Sequence, residues 1–161
     1  MVAALPSPWS IQPPGYMMTL AGVMPTSPTL PPGYRIEIDG ALPVAVVRAF
    51  LASGEQAAIG RVVTVDDWAI YDRIETDERH RRRGLGSAVM NALQGIALAR
   101  GGERGVLVAT ETGRALYETL GWELLSPYVT AAIPAAHDNE SAVRSVSGEV
   151  HQGSDRHSGP A

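Results

Sequence analysis

Six consecutive residues, Arg81-Arg82-Arg83-Gly84-Leu85-Gly86, stand where a strand-like run gives way to a helix-like run. The first N–H groups of a helix lack intrahelical acceptors, and the helix dipole places partial positive charge there. Glycines at 84 and 86 remove side chains and let a ligand approach the main chain. Three arginines beside them can pair with phosphate oxygens. The chemistry these residue types suit is the binding of a diphosphate. The nucleotide versions of such a turn fail on residue identity. A phosphate-binding loop of the Gly-x4-Gly-Lys-Ser/Thr kind needs a lysine, and this chain contains none. The dinucleotide fingerprint needs a third glycine, whereas Gly86 is followed by Ser87, Ala88 and Val89.

The remaining reactive types are few. There is no cysteine, which excludes thiolate nucleophiles, disulfides and cysteine-based zinc sites. Three of the four histidines (His137, His151, His157) lie far apart in a polar tail, so no metal site is expected. Two carboxylates stand out on the run Trp68–Thr76. Asp72 shares an alternating face with Trp68, Ile70 and Ile74, an unusual place for an acid, and Glu75 falls on the other face. Either could serve as an ordinary partner for Arg73 or Arg48.

A formal net charge of −4 argues against nucleic-acid binding, which needs a broad basic face. No run approaches the roughly 20 apolar residues of a membrane span. The N-terminus has neither the basic start nor the apolar core of a secretory signal, so a cytoplasmic protein that binds no membrane is expected.

The elements that must position these groups follow from periodicity. Residues 1–33 are rich in proline, which leaves room for little more than a short strand around Tyr16–Leu20. Residues 34–134 hold the folded domain. Strands are expected at "YRIEIDG", on both sides of the "SGEQ" turn, and at "DDWAIYDRIETD". From Gly84 the period becomes helical, with Leu85, Val89, Leu93, Ile96 and Ala97 on one stripe, and Gly101-Gly102 stops it. "GVLVAT" reads as a strand buried on both faces. Thr110 or Thr112 can cap a second helix, with Ala115, Leu116 and Leu120 inward and Gly121 at its end. "WELLS" and "YVTAAI" read as two closing strands. Residues 135–161 are polar and carry no aromatic residue, and are expected to remain disordered. The class is α/β (α+β).

The arginine-glycine turn resembles the Arg/Gln-x-x-Gly-x-Gly/Ala signature of the GNAT superfamily of acetyl-CoA-dependent N-acetyltransferases. A second stretch, "TGRALYETLGWELL", is similar to that family's later motif, with Leu116, Tyr117, Gly121 and Trp122 in place. The resemblance covers about residues 34–134. It implies a mixed, mostly antiparallel central sheet flanked by helices, with acetyl-CoA as co-substrate in a splay between two strands. It further implies that the backbone of Ile74, Glu75 and Thr76 pairs with the pantetheine arm. Arg81, Arg82, Arg83, Gly84, Leu85, Gly86 and Ser87 would hold the diphosphate. Tyr117 would donate a proton to the departing thiolate, and Asp72 is the first choice as base. Thr110 stands where the family often has an asparagine contacting pantetheine; a hydroxyl can donate one bond there but cannot copy a carboxamide.

The chain departs from the family before its second strand. Two helices that normally form a wall of the acceptor site have no room between "YRIEIDG" and "ALPVAVVRAF". Three explanations compete: a shortened enzyme, the C-terminal portion of a longer tandem protein, or a homodimer in which a second copy supplies the wall. "GYMMTLAGVM" could survive from, or replace, the absent part. The expected activity is acetyl transfer to a small-molecule or peptide amine, with a non-catalytic acyl-CoA-binding module as the alternative.

Overall fold

Strand Val44–Leu51 (β4) buries Ala45, Val47 and Ala49 and leaves Val44, Val46 and Arg48 only partly covered. The same one-in-two pattern runs through its neighbours, because alternate residues of a strand point to opposite faces. Among the described residues, one face of this sheet carries helices and the other does not.

The structure, a computed structural model, describes residues 5–26 and 29–134. The larger compact unit spans Ile11–Ala132. In the smaller unit, the described residues are 5–10 and 133–134, and the N–H of Trp9 closes a turn on the Pro6 carbonyl at 3.1 Å. The polar tail from residue 135 lies outside the described residues.

In chain order the elements are β1 (Ser10–Ile11), β2 (Gly15–Ala21), β3 (Tyr34–Asp39), β4, β5 (Gln56–Val65) and β6 (Trp68–Thr76). A 3-10 turn at Glu78–His80 leads to α1 (Leu85–Ala99), β7 (Arg104–Ala109), α2 (Glu111–Thr119), β8 (Glu123–Tyr128) and β9 (Ala131–Ala132). Among the described residues seven strands form one sheet, in the order β3-β4-β5-β6-β7-β2-β8. Only β6 and β7 run parallel, joined through α1; every other neighbouring pair in this sheet is antiparallel.

The structure gives the N-terminal strand its place and changes three sequence expectations. The N-terminal strand lies inside the sheet, hydrogen-bonded between β7 and β8. Consequently "YVTAAI" adds no strand to that sheet: Tyr128 ends β8, and only Ala131–Ala132 is extended. β7 is covered on one face only, with Leu107 4% exposed and its neighbour Val108 47%, because among the described residues no helix lies over the second face. On α2, Ala115 is exposed while Tyr117 and Leu120 are buried. The Tyr117 ring lies 6.2 Å from that of Trp122 in the core.

Helix α1 lays Leu85, Val89, Leu93 and Ala97 against β4, β5 and β6. Its buried Gln94 ties in the segment after β2. The Gln94 carboxamide accepts from the Met24 N–H (2.9 Å) and donates to the Gly22 carbonyl (3.1 Å), so both ends of a buried polar group are satisfied. The N-terminal strand is thus held by a ladder on each side and by a side-chain clamp behind it.

Candidate active site

Parallel strands β6 and β7 are paired at only three positions, Trp68 with Arg104, Ala69 with Gly105 and Ile70 with Val106. Beyond Ile70 they part. The cause lies in β6 itself: the register against β5 slips between Ile59 and Arg61, and Arg73 takes a left-handed φ of 50°. Such a bulge bends its strand and ends regular pairing. β7 meanwhile follows β2. The gap is a cleft of about 570 Å3. The β6 edge from Tyr71 to Thr76 faces it without a ladder partner in β7. Main-chain groups of Ile74, Glu75 and Thr76 therefore belong to a strand edge able to pair with an extended ligand.

The bulge also redistributes side chains. Ile74 lies with Val89 and Leu93 of α1 around Gly60, where a Cβ would stand 2.8 Å from each of the three. Ile74 is thus on the helix side and not with Trp68, Ile70 and Asp72. Glu75 pairs across with Ile59 and Asp72 with Arg61, which places both acids on the open face. The sequence alternation set them on opposite faces, and one extra residue cancels that. Asp72 is 58% exposed and ion-paired with Arg61, with Arg73 Nε at 4.0 Å. A carboxylate already engaged by guanidinium groups offers charge more readily than a free lone pair for a proton. Arg61 Nε is buried and has no hydrogen-bond partner.

On the helix side stand Leu107, Gly113 and Tyr117. The Tyr117 ring is buried, and burial pushes its phenol up to about 12. Tyr71, edge-on to Trp122 at 5.2 Å, is raised to about 12 for the same reason. Thr110 caps α2: its hydroxyl accepts from the Gly113 N–H at 3.1 Å and keeps its own proton for a donor bond into the cleft it lines.

The arginine-glycine turn adjoins the Thr76 end of β6. Gly84 has φ 77°, a left-handed conformation that only glycine adopts without strain, and nothing stands within 4 Å of where its Cβ would be. Gly86 has a different reason. A Cβ there would lie 2.9 Å from Leu116 Cδ2, so this glycine lets α2 close on α1. Gly84 gives α1 no side-chain cap, and no acid occupies the first turn. The first backbone bond of the helix is Ala88 N–H to the Gly84 carbonyl (3.0 Å), which leaves the N–H groups of Leu85, Gly86 and Ser87 without helical acceptors.

The three arginines divide. Arg81 donates from Nε to the Thr76 carbonyl (3.3 Å) and reaches Glu78 at 3.6 Å. Among the described residues the side chains of Arg82 and Arg83 have no partner. These two are the free cations at an uncapped helix start. The site therefore has open space, unpaired donors and positive charge where a diphosphate would sit, and residues 81–87 fit that group. Among the described residues no three His, Asp or Glu side chains gather as a metal set, and no helix is long and apolar enough to cross a membrane.

Sequence reasoning missed the part played by β2. Met17 lines the cleft, and the Tyr16 hydroxyl donates to Glu111 under the Arg114 guanidinium, which lies 5.0 Å from the ring. Tyr128 of β8 also reaches the cleft. The alternation in "GYMMTLA" signalled a strand, but nothing local says between which strands it inserts.

Residues 44–124 match the family described as "Acetyltransferase (GNAT) domain". The chain belongs to the GNAT family, and its mixed sheet is that family's fold. It is similar to a GCN5-related N-acetyltransferase from Kribbella flavida (TM-score 0.60, 14% identity, 83% of this chain and 62% of that one). A tandem GNAT protein from the clavulanic acid biosynthesis pathway aligns at TM-score 0.61 and 16% identity, over 74% of this chain and 53% of that one. A putative acetyltransferase from Novosphingobium aromaticivorans aligns at TM-score 0.58 and 18% identity, over 80% and 67%. The chain thus spans little more than half to two thirds of these structures. A comparison with curated protein sequences finds no match.

Proposed function

We propose that the chain is an acyltransferase that moves the acetyl group of acetyl-CoA to a primary amine by direct attack. The observation that supports this most is the parting of β6 and β7 beside an uncapped α1 start carrying unpaired Arg82 and Arg83. A diphosphate at that helix start, followed by an extended arm along the β6 edge, puts a thioester in the gap between Asp72/Glu75 on the open face and Tyr117 on the helix side.

The two sides suit the two halves of the reaction. The amine nitrogen bonds to the thioester carbonyl carbon from the open face. It gives up its proton to water, in the field of Asp72 and Glu75, and the C–S bond breaks. For an amine of pKa near 10.4, deprotonation at pH 7 costs about 4–5 kcal/mol, so negative charge on that face does not by itself supply the base. Tyr117 stands where the sulfur leaves. A phenol held at about 12 keeps its proton across the working pH range and donates a hydrogen bond to a thiolate forming in the same apolar cleft. No covalent enzyme intermediate is required.

The test is calorimetric titration with acetyl-CoA, followed by a thiol-release assay on a panel of amines. Binding with turnover on at least one amine is the expected result. Saturable binding without release on any amine identifies a silent acyl-CoA-binding module; absence of binding removes the coenzyme reading altogether.

A further inference from the structure

His80 directly precedes the three arginines, yet its side chain turns inward and is only 7% exposed. The Tyr34 hydroxyl meets its Nδ1 at 2.8 Å, and the two rings stand edge to face at 5.7 Å. Nε2 lies 3.4 Å from Glu55 Oε1. Each ring nitrogen thus has a partner inside the protein, the Tyr34 hydroxyl at Nδ1 and the Glu55 carboxylate at Nε2. Glu55 is also paired with Arg79, whose backbone N–H and side chain hold the Asp77 cap. Three separate segments converge on one imidazole: the start of β3, the β4–β5 turn and the 3-10 turn that leads into the cradle.

The cradle needs such an anchor. Within three residues of His80 the chain adopts left-handed backbone at Arg82 (φ 59°), and Gly84 follows at 77°. A left-handed arginine is strained and persists only where its surroundings over-determine it. Packing of α1 fixes the far side of this turn. On the near side, His80 is the buried side chain of the 3-10 turn.

We infer that His80, held by Tyr34 and Glu55, is a positioning residue that preorganises the Arg82–Ser87 turn for the coenzyme diphosphate without touching it. Both ring nitrogens are occupied internally, so it has no bond left for a ligand. The inference rests on the coenzyme reading above.

The test compares acetyl-CoA with S-acetylpantetheine, which has the same thioester and arm but no diphosphate. KM and kcat are measured for both in the wild type, His80→Ala, His80→Gln and Tyr34→Phe. The expected result is at least a tenfold rise in KM for acetyl-CoA in His80→Ala, with kcat and the acetylpantetheine KM within twofold. Tyr34→Phe should give a smaller rise, and His80→Gln should recover part of the loss. If His80→Ala does not fold, Tyr34→Phe and His80→Gln decide alone by the same selectivity. Equal losses for both thioesters, or no loss for either, overturn the inference. A wild type that binds neither thioester shows instead that the coenzyme reading was wrong.

Discussion

Leu107 and Val108 are adjacent on β7, yet one is 4% exposed and the other 47%. They belong to the two sides of the same sheet. Beneath the helices lie Met18, Val47, Val62, Leu85, Val89 and Leu93, all buried, together with Tyr71, Tyr117 and Trp122. On the other face, Ile70, Val108 and the Arg61–Asp72 pair remain accessible among half-covered valines. The helix side has an uncapped helix start with two unpaired arginines, a buried phenol at the cleft, and a glycine placed for close helix packing. The open side holds two acids and an apolar surface with nothing over it among the described residues. The difference teaches that the two faces are built on different terms: on one, helices bury an apolar layer beside an uncapped helix start with unpaired arginines, and on the other, acids and half-covered aliphatic residues stand open among the described residues.

Charge should separate the two sides most sharply. Reversal at the cradle, Arg82→Glu with Arg83→Glu, removes two charge-assisted contacts and adds repulsion. It is expected to weaken acetyl-CoA binding by about a thousandfold at low salt, read by calorimetry. Arg48→Glu, on the open face opposite Glu37, should leave that affinity unchanged. Equal losses from both would erase the distinction.

Packing comes next. Leu107→Ala opens a cavity under α2 and should lower stability by about 2–5 kcal/mol in urea unfolding, whereas Val108→Ala should cost less than about 1 kcal/mol. Comparable values would mean that something covers the second face in solution.

Tyr117→Phe should reduce kcat by about a hundredfold while the affinity for acetyl-CoA stays within twofold, as stopped-assay kinetics and calorimetry would show. Removing the hydroxyl of Tyr71, buried nearby, should do far less to kcat. If both variants keep full turnover, the departing thiolate takes its hydrogen bond from elsewhere.

The smallest effect is a pH dependence confined to the helix side. Tyr71 and Tyr117 ionise at about 12 in the fold and near 10 when unfolded. The unfolded chain therefore releases these protons first as pH rises. Their stabilising contribution is full below pH 10 and is lost between pH 10 and 12, on the order of 2 kcal/mol in total after allowance for their partial burial. Denaturant midpoints measured at pH 9 and 11 would show the drop, and the Tyr71→Phe, Tyr117→Phe double variant should flatten it.

Much of the helix side was legible along the chain. Gly84, the stripe of α1, the Thr110 cap and the second motif around Tyr117 are local patterns, and periods of 3.6 and 2 together with capping rules expose them. The open side was misread for a physical reason. Alternation put Asp72 and Glu75 on opposite faces because it cannot register the extra residue at Arg73, and only strand pairing reveals a bulge.

The sequence by itself determined the class of the fold, the helix that presents its uncapped N-terminus, and the residue types gathered there. Those features depend on neighbours within a few positions. Tertiary structure alone decided that β2 inserts between β7 and β8, that Arg82 and Arg83 stay unpaired while Arg81 does not, that Gly86 serves helix packing, and that His80 is locked by residues 46 and 25 positions away. Each of these is a contact between segments distant in sequence. Its geometry is set by how whole strands and helices pack, and no local pattern carries that information.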